Sequence, residues 1–483
     1  MATRQRLPDG FVVRLGRRVR VEDGGRTLVG GAPLRMLHLT PAAALRLSDR
    51  ELVVSDAASS VLADLLLGTG VADPVVERLP ASQFGLDDVT AVVPVRDRPR
   101  QLERLLGALG AAFAGRVIVV DDASIDAEPV RRVAEAHGAR FEPLARNLGP
   151  AGARNHGLGL VATPLVVFVD SDAVIEPGAV ELMLKHFADP AVAVVAPRIV
   201  GLEVDRPTAV ERYEGARASL DLGRLPALVR PRSRVSWVSS TCLVGRADAL
   251  GAGFGEGMRV AEDVDLVWRL DAEGHRVRYE PAAVAGHELR TGLRAWFARK
   301  AFYGTGAHPL ALRHPEEIAP AVLAPWSAAM LLALLAQRRW SLPVAGVIVT
   351  ATIVRLARRL PRSSRPVASA ARLVADGSAA SFVQASALLL RHWWPAAVAA
   401  ALVSRRVRRA LAVAAVVDSL FEWRRTRAKL DPLRFAVLRR LDDVAYGAGV
   451  WLSAWRGRSF AALRPSLRSR VRATPTAPSR TSR

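Results

Sequence analysis

The chain is short of cysteine, lysine and secretory signals. One cysteine in 483 residues, Cys242, rules out an intramolecular disulfide and any cysteine-built metal cluster, which fits a reducing compartment. Lysine occurs only at Lys185, Lys300 and Lys429, so arginine carries almost all the positive charge. Met1–Gly10 is polar and lacks the apolar core of a secretory signal. The first 337 residues also lack a charge imbalance. From Arg338 onward there are 28 Lys plus Arg against 6 Asp plus Glu, which accounts for the whole net charge of +22. That basic third has no aromatic interleaving of the base-stacking kind, which argues against nucleic acid as a partner. Its arginines border apolar runs, a pattern suited to anionic membrane lipids.

What the chain does have is apolar surface to bury. Half of its residues are apolar and the mean hydropathy is positive. Its length calls for two or three folded units. Residues 1–85 read as a small α+β unit. Extended runs at Gly10–Leu15 and Val19–Glu22 precede helical patterns at Pro41–Leu47 and Ser59–Leu67. The order is similar to a winged-helix peptide-binding domain; a generic N-terminal cap stays open.

Residues 88–310 alternate strand and helix. Val89–Val95, Val117–Val120, Leu165–Val169 and Val192–Ala196 are short apolar runs, separated by helical spacing at Arg100–Gly110 and Glu128–His137. This predicts an α/β domain on a parallel sheet, with ligands at the carboxyl ends of the strands. Residues 311–470 form a hydrophobic and basic helical region. Ile318–Ala336 has 19 uncharged residues, enough to span a bilayer, and Trp340–Val354, Gly377–Leu390 and Trp393–Ser404 are shorter runs. Membrane association is expected, without a topology. Residues 471–483, rich in Ser, Thr, Pro and Arg, are expected to be disordered.

Five constellations fall where such a sheet would place chemistry. Pro94-Val95-Arg96-Asp97 ends the first strand and Val120-Asp121-Asp122-Ala123-Ser124 the second. Carboxylates there can accept hydrogen bonds from a base or ribose; helix capping explains them as well. The loop Arg146-Asn147-Leu148-Gly149-Pro150-Ala151-Gly152-Ala153-Arg154-Asn155 combines glycines, a helix start and Arg154, all favourable to phosphate. Asp170-Ser171-Asp172 follows a buried strand directly. Two carboxylates so placed can hold Mg²⁺ or Mn²⁺ against a diphosphate, although a solvated turn has the same sequence. Glu262-Asp263-Val264-Asp265 opens a helix, where acidic residues suit the dipole and where one carboxylate can act as a general base. Gly286-His287-Glu288 offers an imidazole.

In this order the motifs resemble the inverting family-2 glycosyltransferases of the GT-A fold. The resemblance implies that Asp97, Asp121 and Asp122 hold the uridine and ribose of a UDP-sugar, with Pro94 beside them. Arg154 would lie near the base or diphosphate, Asp170 would touch the donor, and Asp172 with His287 would hold the divalent metal. Asp263, helped by Glu262, would deprotonate the acceptor. Processive members carry Gln-x-x-Arg-Trp after the Glu-Asp helix. Here the region reads Trp296-Phe297-Ala298-Arg299-Lys300-Ala301-Phe302-Tyr303-Gly304, so long-chain synthesis is not expected and a short oligosaccharide stays open.

A resemblance over almost the whole chain is to the glycosyltransferases of mycofactocin biosynthesis. It rests on Gly30-Gly31…Leu39-Thr40-Pro41, on the 147–155 loop, on Trp237-Val238-Ser239-Ser240-Thr241-Cys242 and on the basic apolar C-terminus. It implies β-glucosyl transfer from UDP-glucose to a small peptide-derived redox cofactor precursor. Residues 1–85 are expected to recognise that acceptor or its peptide parent. The enzyme would sit at the cell membrane with its catalytic domain cytoplasmic. A lipid or cell-wall polysaccharide acceptor is the alternative.

Overall fold

The computed structural model describes residues 6–289 and 291–467, so the expected tail at 471–483 lies outside the described residues. The chain divides into one unit of residues 1–299 with 426–431 and a second unit of residues 300–425 with 432–483.

The first unit is built on a nine-stranded mixed sheet: β1 (Val89–Val95), β2 (Val117–Asp121), β3 (Arg140–Pro143), β4 (Leu165–Val169), β5 (Ala173–Ile175), β6 (Val192–Gly201), β7 (Ala227–Val229), β8 (Cys242–Arg246) and β9 (Arg276–His287). The spatial order is β5-β9-β6-β8-β4-β1-β2-β3, with β7 on β9. Strands β3, β2, β1 and β4 run parallel, as the apolar runs predict. The sheet is not parallel throughout, because β8 enters antiparallel between β4 and β6. Valine-rich β1 and β4 are buried on both faces, as crossover-covered strands must be.

The helices that cover the sheet follow from local chemistry. Pro99–Leu109 starts with Pro at its first position and buries Leu102, Leu105, Leu106 and Leu109, a single stripe at helical spacing. It ends where Gly110 adopts φ +55. Gly149–Leu158 lies close to the sheet. A Cβ on Gly157 would come 2.4 Å from Cγ1 of Val92, so only glycine allows this approach.

Residues before the catalytic sheet form two three-stranded antiparallel sheets. One pairs Val12–Leu15 with Glu51–Val53 and Ala72–Pro74, and the other joins Arg20–Glu22, Thr27–Gly30 and Arg35–His38. Helix Ala57–Gly68 is fixed by a capping box between Asp56 and Ser59. This domain docks on the amino end of β9. Arg276, 3% exposed, bridges Asp189 at 2.7 Å and Asp64 at 2.5 Å, and Arg278 meets Asp73 at 3.2 Å. Burial pushes the Asp73 carboxyl up to about 6, against the pull of Arg278. Because β9 runs parallel to β6, its docking end and His287 lie at opposite rims of the sheet. At the usual rise per residue they are about 30 Å apart.

The second unit is mostly helical. Its main helices are Ala307–Arg313, Pro325–Leu335, Ser341–Ala357, Pro366–Ala387 with a π turn to His392, Trp394–Val403, Arg405–Thr426 and Pro432–Arg456. Its polar centre joins Arg391 and Arg439 to the buried Asp442 and Asp443. The run Ile318–Ala336 does not form the expected spanning helix. Pro320 and Pro325 break it, leaving a short strand and the 11 residues Pro325–Leu335. The helix long and apolar enough to span is Pro366–His392, which the sequence reading cut short at its charges, Arg372 and Asp376.

Truncating Arg276 leaves the buried Asp189 without its cation. Arg276→Ala is expected to cost about 3–5 kcal/mol in urea denaturation. An unchanged midpoint would show that the ion pairs do not hold the docked domain.

Candidate active site

The carboxyl ends of β1, β2 and β4, the start of helix Glu262–Ala272 and the end of β9 contribute the site. Three clusters arise there.

The first joins β1 to β2. Asp97 takes a left-handed φ of 55 and Ala123 one of 56, so both strand ends turn sharply. The Asp97 amide donates to Ser124 Oγ at 2.8 Å, and Asp97 Oδ1 accepts the Ile125 amide at 2.8 Å. Ser124 Oγ also donates to Asp121. Asp122 accepts the amides of Leu148 at 2.6 Å and Gly149 at 2.9 Å, so it caps the helix that carries Arg154. Pro94 sits in β1 opposite Val120.

The second cluster is ionic. Arg154, only 2% exposed, donates to Asp170 Oδ1 at 2.5 Å and to Glu262 Oε1 at 3.0 Å. Its guanidinium carbon lies 5.3 Å from the centre of the Phe254 ring, which packs edge-on against Phe168 of β4. Burial works against the charge on Arg154, and Asp170 and Glu262 outweigh it, so the group is held firmly protonated. Next to Glu262, Asp263 accepts the Val264 amide at 2.8 Å and the Ser240 amide at 3.4 Å. Burial first, and then the Glu262 charge, push the Asp263 carboxyl well above the ordinary carboxylate range. Ala261, at φ 65, makes the turn that presents both acids. The Asp170 amide donates to the Thr241 carbonyl at 2.9 Å, which ties the end of β4 to the loop that carries Ser240.

The third cluster surrounds Asp172. One of its oxygens meets Arg98, and the other lies 3.5 Å from His287 Nε2. Arg104 and Glu288 pair at 3.1 Å nearby. Asp172 Oδ1 and His287 Nε2 are close enough for both to be ligands of one small divalent cation. Among the described residues no three His, Cys, Asp or Glu side chains could enclose an ion unaided.

The structure gathers Asp97, Asp121, Asp122, Arg154, Asp170, Asp172, Glu262, Asp263 and His287 into three groups of contacts, and places Pro94 within β1. Arg154 meets two carboxylates here, where the sequence placed it by the base or diphosphate. Sequence reasoning missed Arg98, because an arginine before a helix-starting proline reads as a solvated side chain. The signal that marks it is its place beside Asp97, at the end of the strand next to β4. The tie between Ser240 and Asp263 was also missed; no spacing rule links residues 23 positions apart.

The pattern of glycosyl transferase family 2 matches residues 90–248. The chain is 43% identical to the pre-mycofactocin glycosyltransferase of Mycobacterium tuberculosis (strain CDC 1551 / Oshkosh), over 97% of this chain and 100% of that protein. It is 25% identical to the poly-beta-1,6-N-acetyl-D-glucosamine synthase of Staphylococcus aureus (strain COL), over 41% of this chain and 48% of that protein. Among solved structures, the mannosyltransferase PcManGT from Pyrobaculum calidifontis in complex with GDP-Man and Mn2+ aligns with 20% identity and a TM-score of 0.36, over 75% of this chain and 90% of that one. Glucosyl-3-phosphoglycerate synthase from Mycobacterium tuberculosis in complex with Mn2+, UDP and phosphoglyceric acid aligns with 18% identity and a TM-score of 0.35, over 47% and 78%.

Removing the Asp122 carboxylate orphans two amides at a buried helix start. Asp122→Ala is expected to lower unfolding free energy by about 2–3 kcal/mol, read by urea denaturation, with Asp122→Asn intermediate. A loss below about 0.5 kcal/mol would mean that the cap is dispensable.

Proposed function

The chain belongs to the pre-mycofactocin glycosyltransferases of glycosyl transferase family 2, and on that basis we propose that it transfers glucose from UDP-glucose to a hydroxyl of premycofactocin, the peptide-derived redox cofactor precursor, with inversion to a β-linkage. The observation that supports this most is the pairing of the strand-end acid Asp170 with Glu262 through the buried cation Arg154, which leaves the neighbouring Asp263 with a raised pKa and no direct cation.

On this reading the first cluster holds the nucleoside: Asp97, Asp121 and Asp122 set the turns beside Pro94 on which uridine and ribose rest. Asp170 faces the donor sugar. Asp172 and His287 would hold a divalent ion, Mg²⁺ or Mn²⁺, whose charge offsets that of the departing diphosphate. Asp263 takes the proton from the acceptor hydroxyl as that oxygen bonds to the anomeric carbon. The bond from that carbon to the diphosphate breaks on the opposite side, and UDP leaves with the electron pair. A base whose pKa is raised toward neutrality is well matched to this proton transfer. Glu262 helps to raise it, and Arg154 keeps Glu262 and Asp170 in place.

We assign the docked N-terminal domain to recognition of the acceptor or its peptide parent. The second unit supports a place at the inner membrane face. Leu342, Val347 and Val354 are exposed on helix Ser341–Ala357. Val413, Val416, Val417 and Leu420 form an exposed stripe on Arg405–Thr426, which begins with four arginines within five residues.

The reading is tested by incubating the purified enzyme with a panel of UDP-sugars and premycofactocin, with mass spectrometry of the products. Glucose addition is expected. Transfer only to a lipid or polysaccharide pool would replace the acceptor. Asp263→Asn should lower turnover about 10²–10⁴-fold while UDP binding persists; near-normal turnover would remove Asp263 as the base. Because the base must be ionised, turnover falls as pH drops through its raised pKa. Glu262→Gln removes a like charge, lowers that pKa and should move the acid limb of kcat/KM to lower pH. An upward shift would contradict the assignment.

A further inference from the structure

The third cluster contains a feature that the proposed chemistry leaves unused. Asp172 has 13% of its side chain exposed, and a carboxylate so enclosed needs a counter-charge. Arg98 supplies one, through Nη1 alone. The other donors of its guanidinium have no partner among the described residues, and a third of the side chain faces solvent. Its backbone is fixed by the turn at Asp97 on one side and by Pro99 at the helix start on the other. Only the side chain of Arg98 is therefore free to move.

We propose that Arg98 is an exchangeable cation: it neutralises Asp172 in the empty site and moves to the donor diphosphate when a divalent ion takes its place on Asp172. The inference rests on the assignment of Asp172 to the metal. A divalent ion bound to Asp172 would stand within a few ångströms of this guanidinium and repel it, which weakens the hold of Arg98 on the carboxylate. The incoming diphosphate offers the displaced guanidinium a better partner, because its oxygens match the planar fork in pairs. The exchange makes metal and nucleotide binding mutually dependent. The metal must displace Arg98, and Arg98 is rewarded only when diphosphate is present.

The test measures binding by the full-length chain and needs no turnover. Mn²⁺ is titrated into wild type, Arg98→Gln and Arg98→Lys with free Mn²⁺ followed by electron paramagnetic resonance, first without nucleotide; UDP is then titrated at saturating Mn²⁺. Arg98→Gln should bind Mn²⁺ alone about three- to tenfold more tightly and bind UDP about tenfold more weakly, opposite signs from one substitution. Arg98→Lys keeps the charge and should match wild type toward Mn²⁺, while binding UDP more weakly because it lacks the fork. Unchanged or weaker Mn²⁺ binding by Arg98→Gln, in a site where wild type does bind Mn²⁺, would overturn the exchange and leave the metal assignment standing. Unchanged UDP affinity would also overturn it. Wild type that takes up no Mn²⁺ at all, with or without UDP, would bring down the metal assignment and the exchange together.

Discussion

One buried guanidinium holds the catalytic face together. Arg154 takes its place from a helix whose start is capped by Asp122, and it answers two carboxylates from distant parts of the chain, 16 residues and 108 residues away. Without it, Asp170 and Glu262 would be enclosed anions with no partner, a state that proteins avoid by protonation or rearrangement. With it, three acids and one cation occupy a small volume, and the acid left without a direct cation, Asp263, keeps its proton more tightly than an ordinary carboxylate. The charge that fixes the geometry thus also decides which acid can exchange a proton near neutral pH.

Backbone conformation at the strand ends serves the same purpose. Asp97, Ala123 and Ala261 all adopt left-handed φ values without being glycine, a conformation that costs energy and persists only when the surroundings fix it. Each lies beside a residue of the three side-chain clusters: Arg98, Asp122 and Glu262. The fixing contacts are visible at Asp97, where an amide and a carboxylate oxygen are both bonded across to the next strand end.

Much of this was legible in the sequence, and what was missed has physical causes. Leu165–Val169 matches its predicted bounds, and β1, β2, Pro99–Leu109 and Glu128–Ala136 lie within one residue of theirs, because continuous valine runs and single leucine stripes leave one solution. Asp97, Asp121, Asp122, Asp170 and Asp172 were readable because they lie at the ends of those strands, and Glu262 and Asp263 because they open a helix. Strands β8 and β9 were not foreseen: β9 carries Arg276, Arg278 and Glu280 in a buried stretch, and buried arginines disguise a strand as a loop. The membrane-length helix was misplaced for a related reason. A count of uncharged residues favours Ile318–Ala336, whereas two prolines keep the helix there from starting before Pro325 and the helix at Pro366 runs through its charges. Arg154 was named, but its partners were not, since ion pairing across 108 residues leaves no periodic trace.

Strand β9 holds the docked domain at one end and a ligand for the proposed ion at the other, and the two ends differ in parity. Side chains alternate between faces along a strand, so Arg278 and His287 would ordinarily point to opposite sides. They do not. Glu280 pairs with Pro197 and Val284 with the next residue, Arg198, so three additional residues loop out between them. This odd insertion reverses the alternation and returns His287 to the face that carries Arg278. The number of residues in that bulge therefore works as a phase setting. Changing it by two preserves both faces, whereas changing it by one would turn the imidazole away from Asp172 without substituting any residue of the site.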